Sequence, residues 1–203
     1  MRRYGCVIAV LLSFSIYVGS IAYQMRIRKT TYATRAQCAA NMKVLTRAML
    51  LYGAENDQML PPADRWCDAL TPYVDRCVSV CPNADRDVFV CPTGINQTCG
   101  YAFSRSLGSM SLEGMTERAN TVMIFESDAG WNAAGDQSIM PNAPRRFHLD
   151  GDGYGFADGS WCWKSRKRVP DGTWAKEPHT GRRVTWEPVL KDSEGEQTAA
   201  PDP

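Results

Sequence analysis

Apolar residues fill the first part of the chain almost without interruption. Residues 5–23 (GCVIAVLLSFSIYVGSIAY) carry no charge, and basic residues flank them on both sides: Arg2, Arg3, Arg26, Arg28 and Lys29. A helix rising about 1.5 Å per residue needs about 20 apolar residues to cross the hydrocarbon layer of a membrane. The pattern therefore predicts a membrane-spanning helix. The alternative is a secretory signal peptide over residues 1–22, ending in Ser20-x-Ala22.

The helical pattern continues beyond the apolar run. Between Thr31 and Asn56 there is no proline, and apolar residues recur at spacings of four and three: Cys38, Met42, Leu45, Met49 and Tyr52. Such a stripe is typical of a helix with one buried face. We expect a single helix of about 50 residues whose second half is the spine of a domain. It should end at Asn56 and Asp57, before Pro61-Pro62, because proline lacks the amide donor.

Shorter elements follow this helix. An amphipathic helix is predicted over residues 65–74, where Trp66, Leu70 and Tyr73 share a face, and strands are predicted over residues 88–90, 100–104, 121–125 and 184–186. Residues 126–146 have the composition of a surface loop. We therefore expect an α+β fold in which the long N-terminal helix packs on a small antiparallel β-sheet.

The clearest local signal is a β-hairpin. Strands around 154–157 and 160–164 are joined by Asp158-Gly159, a dipeptide that suits a two-residue turn with positive φ at both positions. His148 precedes this turn, and we expect its ring nitrogens to hold the incoming strand. No nucleophile motif accompanies His148, so the sequence does not predict an enzyme.

Composition limits the range of functions. The chain has 203 residues and a formal net charge of +1, with charges of both signs well mixed, so nothing indicates nucleic-acid binding. We expect a transmembrane segment over 1–30, one α+β domain over 31–164 and a weakly ordered tail over 165–203.

Eight cysteines are numerous for this length. Cys6 lies in the apolar run and Cys38 on the helical stripe, which leaves an even set of six in the domain: Cys67, Cys77, Cys81, Cys91, Cys99 and Cys162. An even count favours disulfides and an oxidising, extracytoplasmic compartment. A four-thiolate zinc site at Cys77, Cys81, Cys91 and Cys99, or unpaired thiols, are the alternatives.

Three aspartates near the hairpin suggest two alternatives. Asp150, Asp152 and Asp158 lie among glycines, and carboxylate oxygens on a glycine-rich loop are ligands that calcium prefers. The preferred interpretation is that these aspartates form turns by bonding their own backbone. No other cofactor is predicted.

Together these phrases resemble the type IV pilin and type II secretion pseudopilin families, and in particular the branch with a carboxy-terminal His, nine residues and Asp-Gly. The motif here is His148 and Asp158-Gly159, and the resemblance covers residues 1–164. Other matching phrases are Cys38-Ala-Ala-Asn41-Met-Lys43-Val-Leu45, Leu60-Pro61-Pro62, Val90-Cys91-Pro92, Gly100-Tyr101-Ala102 and Thr121-Val122-Met123-Ile124-Phe125-Glu126.

The resemblance implies a structural or accessory subunit of a type II secretion or type IV pilus-like assembly. Its partners would be other pilin-like subunits or membrane components of the secretion system. It would cross the bacterial inner membrane once and place its C-terminal domain in the periplasm. Prepilin cleavage would fall between Gly5 and Cys6, which puts Val10 where the family carries a glutamate. This departure implies a minor or tip position. The alternative function is a membrane-tethered binding module that does not polymerise.

Overall fold

The computed structural model describes residues 2–79, 87–92, 98–141, 148, 151–165 and 184–191, without the side chains of residues 2–11, 28, 31 and 165. The chain divides into two compact units, Met1–Ala36 and Gln37–Pro203.

A single helix, α1, spans Arg2–Glu55. In the second unit its predicted stripe is buried at Cys38, Met42, Leu45 and Met49. The helix ends because Asp57 and Gln58 take positive φ (51° and 61°), which allows the Gln58 N–H to donate to the Gly53 carbonyl at 2.8 Å. The predicted long helix and its end are therefore confirmed.

No helix in the described part of the chain is both long enough and apolar enough to cross a membrane. The transmembrane half of α1 stays a prediction from the sequence.

A second helix, α2, spans Trp66–Val78 and follows a 3-10 turn at Ala63–Arg65. It buries Trp66, Cys67, Leu70, Val74 and Cys77. This confirms the predicted amphipathic helix and extends it by four residues beyond Val74.

Within the described ranges, five strands form one mixed sheet in the order β3-β1-β2-β4-β5. They are β1 (Tyr101–Ser104), β2 (Val122–Glu126), β3 (Ala134–Gly135), β4 (Gly151–Phe156) and β5 (Trp161–Ser165). Neighbours are antiparallel except β3, which pairs parallel with β1. The sheet is therefore not purely antiparallel as predicted, because the loop after β2 adds a two-residue strand at the edge.

The predicted strand at 88–90 is a turn instead. The Val90 N–H donates to the Asp87 carbonyl at 3.0 Å and closes the turn, and Phe89 offers its carbonyl to Gly100 at 2.7 Å. Val88 and Phe89 are buried nevertheless. Their apolarity reflects core packing rather than strand pairing.

The hairpin between β4 and β5 has a longer connection than predicted. The Gly159 N–H donates to the Phe156 carbonyl at 2.9 Å and the Phe156 N–H donates to the Ser160 carbonyl at 2.8 Å, which makes a three-residue loop of Ala157, Asp158 and Gly159. In this loop type a type I turn precedes one residue in the left-handed region. Of the two residues expected at positive φ, only Gly159 (φ 82°) adopts it.

Both faces of the sheet are covered. One face belongs to the main core with the buried stripe of α1 and with α2. On the second face, Phe125 and Phe156 pack with Val184 and Trp186, and the Trp186 ring meets the Phe125 ring edge-on at 4.9 Å. The predicted strand at 184–186 is reduced to a parallel bridge between Thr185 and Thr121.

Glycines of β4 allow α1 to approach the sheet closely. A Cβ added at Gly155 would overlap the Cγ2 atom of Thr46, whereas one at Gly153 would meet the flexible end of Met42 at 3.2 Å. The glycines at alternate positions of β4, Gly153 and Gly155, are therefore explained by the packing of α1 on the sheet.

Gly155→Ala should destabilise the protein by about 1–3 kcal/mol, because the added methyl must displace a β-branched side chain on a helix. Gly153→Ala is the matched control on the same strand, and its effect should be smaller because the Met42 side chain can move. Urea unfolding of both variants measures the difference. Equal midpoints for the two would contradict this account of the packing.

Candidate functional site

A disulfide joins α1 to Cys91, which directly follows the turn at 87–90. Cys38 is bonded to Cys91, with their Cα atoms 5.6 Å apart and a sequence separation of 53. Cys38 is absent from the six cysteines that the sequence offered as candidates, because it occupies an apolar position of the helical stripe. The structure corrects this omission.

The other predicted cysteines are placed differently. Among the described residues, Cys67 and Cys99 form no disulfide. Neither Cys77 nor Cys162 takes part in the Cys38–Cys91 bond, and Cys81 lies outside the described residues. The Sγ atoms of Cys67 and Cys99 lie 3.9 Å apart. Burial, and then the contact with Cys99, raises the pKa of the Cys67 thiol, so this thiol stays protonated. The disulfide also takes up Cys91, one of the four cysteines of the alternative zinc site.

Glu126 and His148 meet beside the disulfide. Glu126 ends the buried strand β2, and one of its carboxylate oxygens, Oε1, lies 3.2 Å from His148 Nε2. The other oxygen, Oε2, accepts the Gly153 N–H at 3.2 Å. The His148 ring meets Trp163 edge-on at 4.8 Å. The predicted structural histidine thus lies against the hairpin.

The close approach of Glu126 and His148 does not satisfy the geometry of a hydrogen bond. Among the described residues, Glu126 Oε1 and His148 Nδ1 are buried atoms that have no hydrogen-bond partner. Leaving such polar atoms unsatisfied costs free energy. Glu126 Oε1 and His148 Nδ1 therefore keep unused hydrogen-bonding capacity inside the core.

These four side chains form one cluster, which we call the Cys–Glu–His cluster: Cys38, Cys91, Glu126 and His148. Each offers one ligand atom, and these atoms all lie within 4.8 Å of one another. Cys91 Sγ is 3.8 Å from His148 Nε2. No residue of the cluster is more than 3% exposed. This burial favours a structural or metal-binding role over catalysis on a diffusing substrate.

Polar neighbours hold α1 against the cluster. Asn41 donates its amide to the Val90 carbonyl at 3.0 Å, and the Tyr101 hydroxyl donates to the Cys38 carbonyl at 3.5 Å. Burial, and then the negative charge of Glu126, raises the pKa of the Tyr101 hydroxyl well above its usual range. Tyr101 therefore remains a neutral donor.

Two of the three candidate calcium aspartates, Asp152 and Asp158, are described, and they lie in different surroundings. Asp152 is buried near the start of β4. Asp158 is exposed in the hairpin loop, where its Oδ1 accepts the Ser160 N–H at 2.9 Å, as a turn-forming aspartate does. Asp150 lies outside the described residues. Gly5 and Cys6 lie in α1, in a part whose side chains the structure does not describe.

Sequence reasoning missed Glu126 and Cys38 as site residues. The available signal was a carboxylate at the end of the most apolar strand, since an acidic residue buried in a sheet needs a partner. That signal names Glu126 but does not identify which residue meets it.

His148→Ala should destabilise the protein by about 3–5 kcal/mol, because it leaves a buried carboxylate without its basic neighbour. Arg76→Ala is the matched control. It removes the basic partner of Glu55, 2.9 Å away, from an ion pair whose side chains are 55% and 44% exposed. Water replaces that partner, so the effect should be much smaller. Thermal and urea unfolding measure both. A His148→Ala protein as stable as the Arg76→Ala protein would contradict the structural role.

The chain matches no family model, no curated protein and no solved structure. What the Cys–Glu–His cluster and the helix can do is therefore argued from their own contacts and exposure.

Proposed function

We propose that this chain is a pilin-like structural subunit of a secretion or pilus-like assembly, anchored in a membrane by the first part of α1. The observation that carries the proposal is the exposure of that part of the helix. Every side chain from residue 12 to residue 27 is exposed. The large apolar ones are 40–72% exposed: Leu12, Phe14, Ile16, Tyr17, Val18, Ile21, Tyr23, Met25 and Ile27.

An apolar helix surface of this kind is unfavourable in water, because burying apolar area contributes about 25 cal/mol per Å². In a pilin-like subunit the surface is covered first by lipid and then by the equivalent helices of other subunits.

The second unit supports the proposal independently. Residues 37–203 have their own buried core, so this unit can fold beside a membrane or on an assembly. Its disulfide is typical of an oxidising compartment. On this basis we propose the bacterial periplasm as the location of this unit.

Assembly without catalysis also agrees with the burial of the Cys–Glu–His cluster.

Val10 stands where a pilin carries the glutamate that pairs with a neighbouring subunit. We accordingly propose a minor or terminal position in the assembly rather than a repeating one.

Ile16→Asp tests the proposal. An aspartate at the centre of a membrane helix is disfavoured by about 3 kcal/mol, so membrane recovery should fall by up to about a hundredfold. Val189→Asp is the control, since Val189 is an exposed apolar residue (44%) of the second unit. Membrane fractionation and cross-linking between helices of neighbouring subunits are the measurements. Unfolding of the second unit should be unchanged in both variants.

Three outcomes separate the alternatives. Loss of membrane recovery and of cross-links in Ile16→Asp alone supports an anchored assembly subunit. Membrane recovery without any cross-link in the wild type favours a tethered binding module. Wild-type protein that stays out of the membrane fraction would refute the anchored subunit.

A further inference from the structure

We propose that the Cys–Glu–His cluster becomes a tetrahedral zinc site when the Cys38–Cys91 disulfide is reduced. The four ligands would be the Sγ atoms of Cys38 and Cys91, Nε2 of His148 and Oε1 of Glu126. This site is distinct from the four-cysteine set considered from the sequence, with which it shares only Cys91. It does not depend on the proposed assembly function.

The distances suit zinc with little movement. Tetrahedral zinc with Zn–S of about 2.3 Å and Zn–N or Zn–O of about 2.0–2.2 Å places its ligand atoms about 3.3–3.8 Å from one another. His148 Nε2 is 3.2 Å from Glu126 Oε1 and 3.8 Å from Cys91 Sγ. All four ligand atoms already lie within 4.8 Å of one another. The main change required is separation of the two sulfurs after their bond is broken.

Orientation of the carboxylate is a second, independent observation. The Gly153 N–H holds Glu126 Oε2 and leaves Oε1 aimed into the cluster. Oε1 is buried and accepts no hydrogen bond from the described residues. A buried carboxylate oxygen held in this orientation, beside an imidazole and two thiols, suits a divalent cation that accepts sulfur, nitrogen and oxygen ligands.

A dithiol can reduce the Cys38–Cys91 disulfide before zinc binds. The dithiol supplies two electrons and two protons to the Cys38–Cys91 bond and leaves as a cyclic disulfide, which yields two thiols. Zinc then binds both sulfurs as thiolates and displaces two protons. Disulfide and zinc are therefore mutually exclusive cross-links between α1 and the segment 87–92.

The test uses the full chain, reduced with dithiothreitol, desalted without oxygen and equilibrated with zinc. Metal analysis should give one zinc per reduced chain and none held by the cluster in the oxidised chain. Alkylation of the reduced wild-type protein, followed by peptide mass analysis, should show that zinc protects Cys38 and Cys91. This readout needs no variant and so does not depend on whether a variant folds.

Variants then identify the remaining ligands. Glu126→Gln and His148→Asn should each weaken zinc binding at least about tenfold in competition with a chromophoric chelator. The double variant Cys67→Ser/Cys99→Ser is the control, because it removes the neighbouring close pair of thiols and should leave zinc stoichiometry and protection unchanged. Failure of the reduced chain to bind zinc would overturn the proposal, as would protection of Cys67 and Cys99 in place of Cys38 and Cys91.

Discussion

The close packing of α1 on one face of the sheet is the constraint on which the rest of the second unit depends. Thr46 lies where only a glycine on β4 leaves room, and its hydroxyl reaches the Met42 carbonyl at 2.9 Å and the Gly159 carbonyl at 3.3 Å. This contact fixes the distance between the helix and β4. At that distance Cys38, on the buried stripe of α1, reaches Cys91, and the Glu126 carboxylate lies beneath the helix.

Local physical chemistry made some of this structure predictable from the sequence. The stripe from Cys38 to Tyr52 and the apolar run at 121–125 each signal their element through neighbours only a few residues away. The predictions that failed depend on contacts between distant residues. Val88 and Phe89 look like a strand by composition, but the bond from Cys91 to a helix 53 residues earlier accompanies a turn there. The packing of Gly153 and Gly155 against α1, more than 100 residues earlier in the chain, is likewise invisible to local patterns.

The buried polar residues of the core differ in how fully they are hydrogen-bonded. Asn41 and Tyr101 each find a backbone acceptor, so their burial is compensated. Glu126 and His148 are compensated less completely, which local patterns cannot reveal because the two residues come from separate elements. Natural sequences tolerate such incomplete compensation mostly where a site is held ready for a ligand.

The order in which the chain is synthesised adds a consequence. Helix α1 is made first, yet the Thr46–Gly159 contact spans 113 residues. At about 5–20 residues per second, its apolar stripe waits on the order of 5–20 s for β4 and its glycines. The segment with Trp186 comes later still, so the outer face of the sheet is closed last. Until then the nascent chain presents apolar surfaces on both its helix and its sheet.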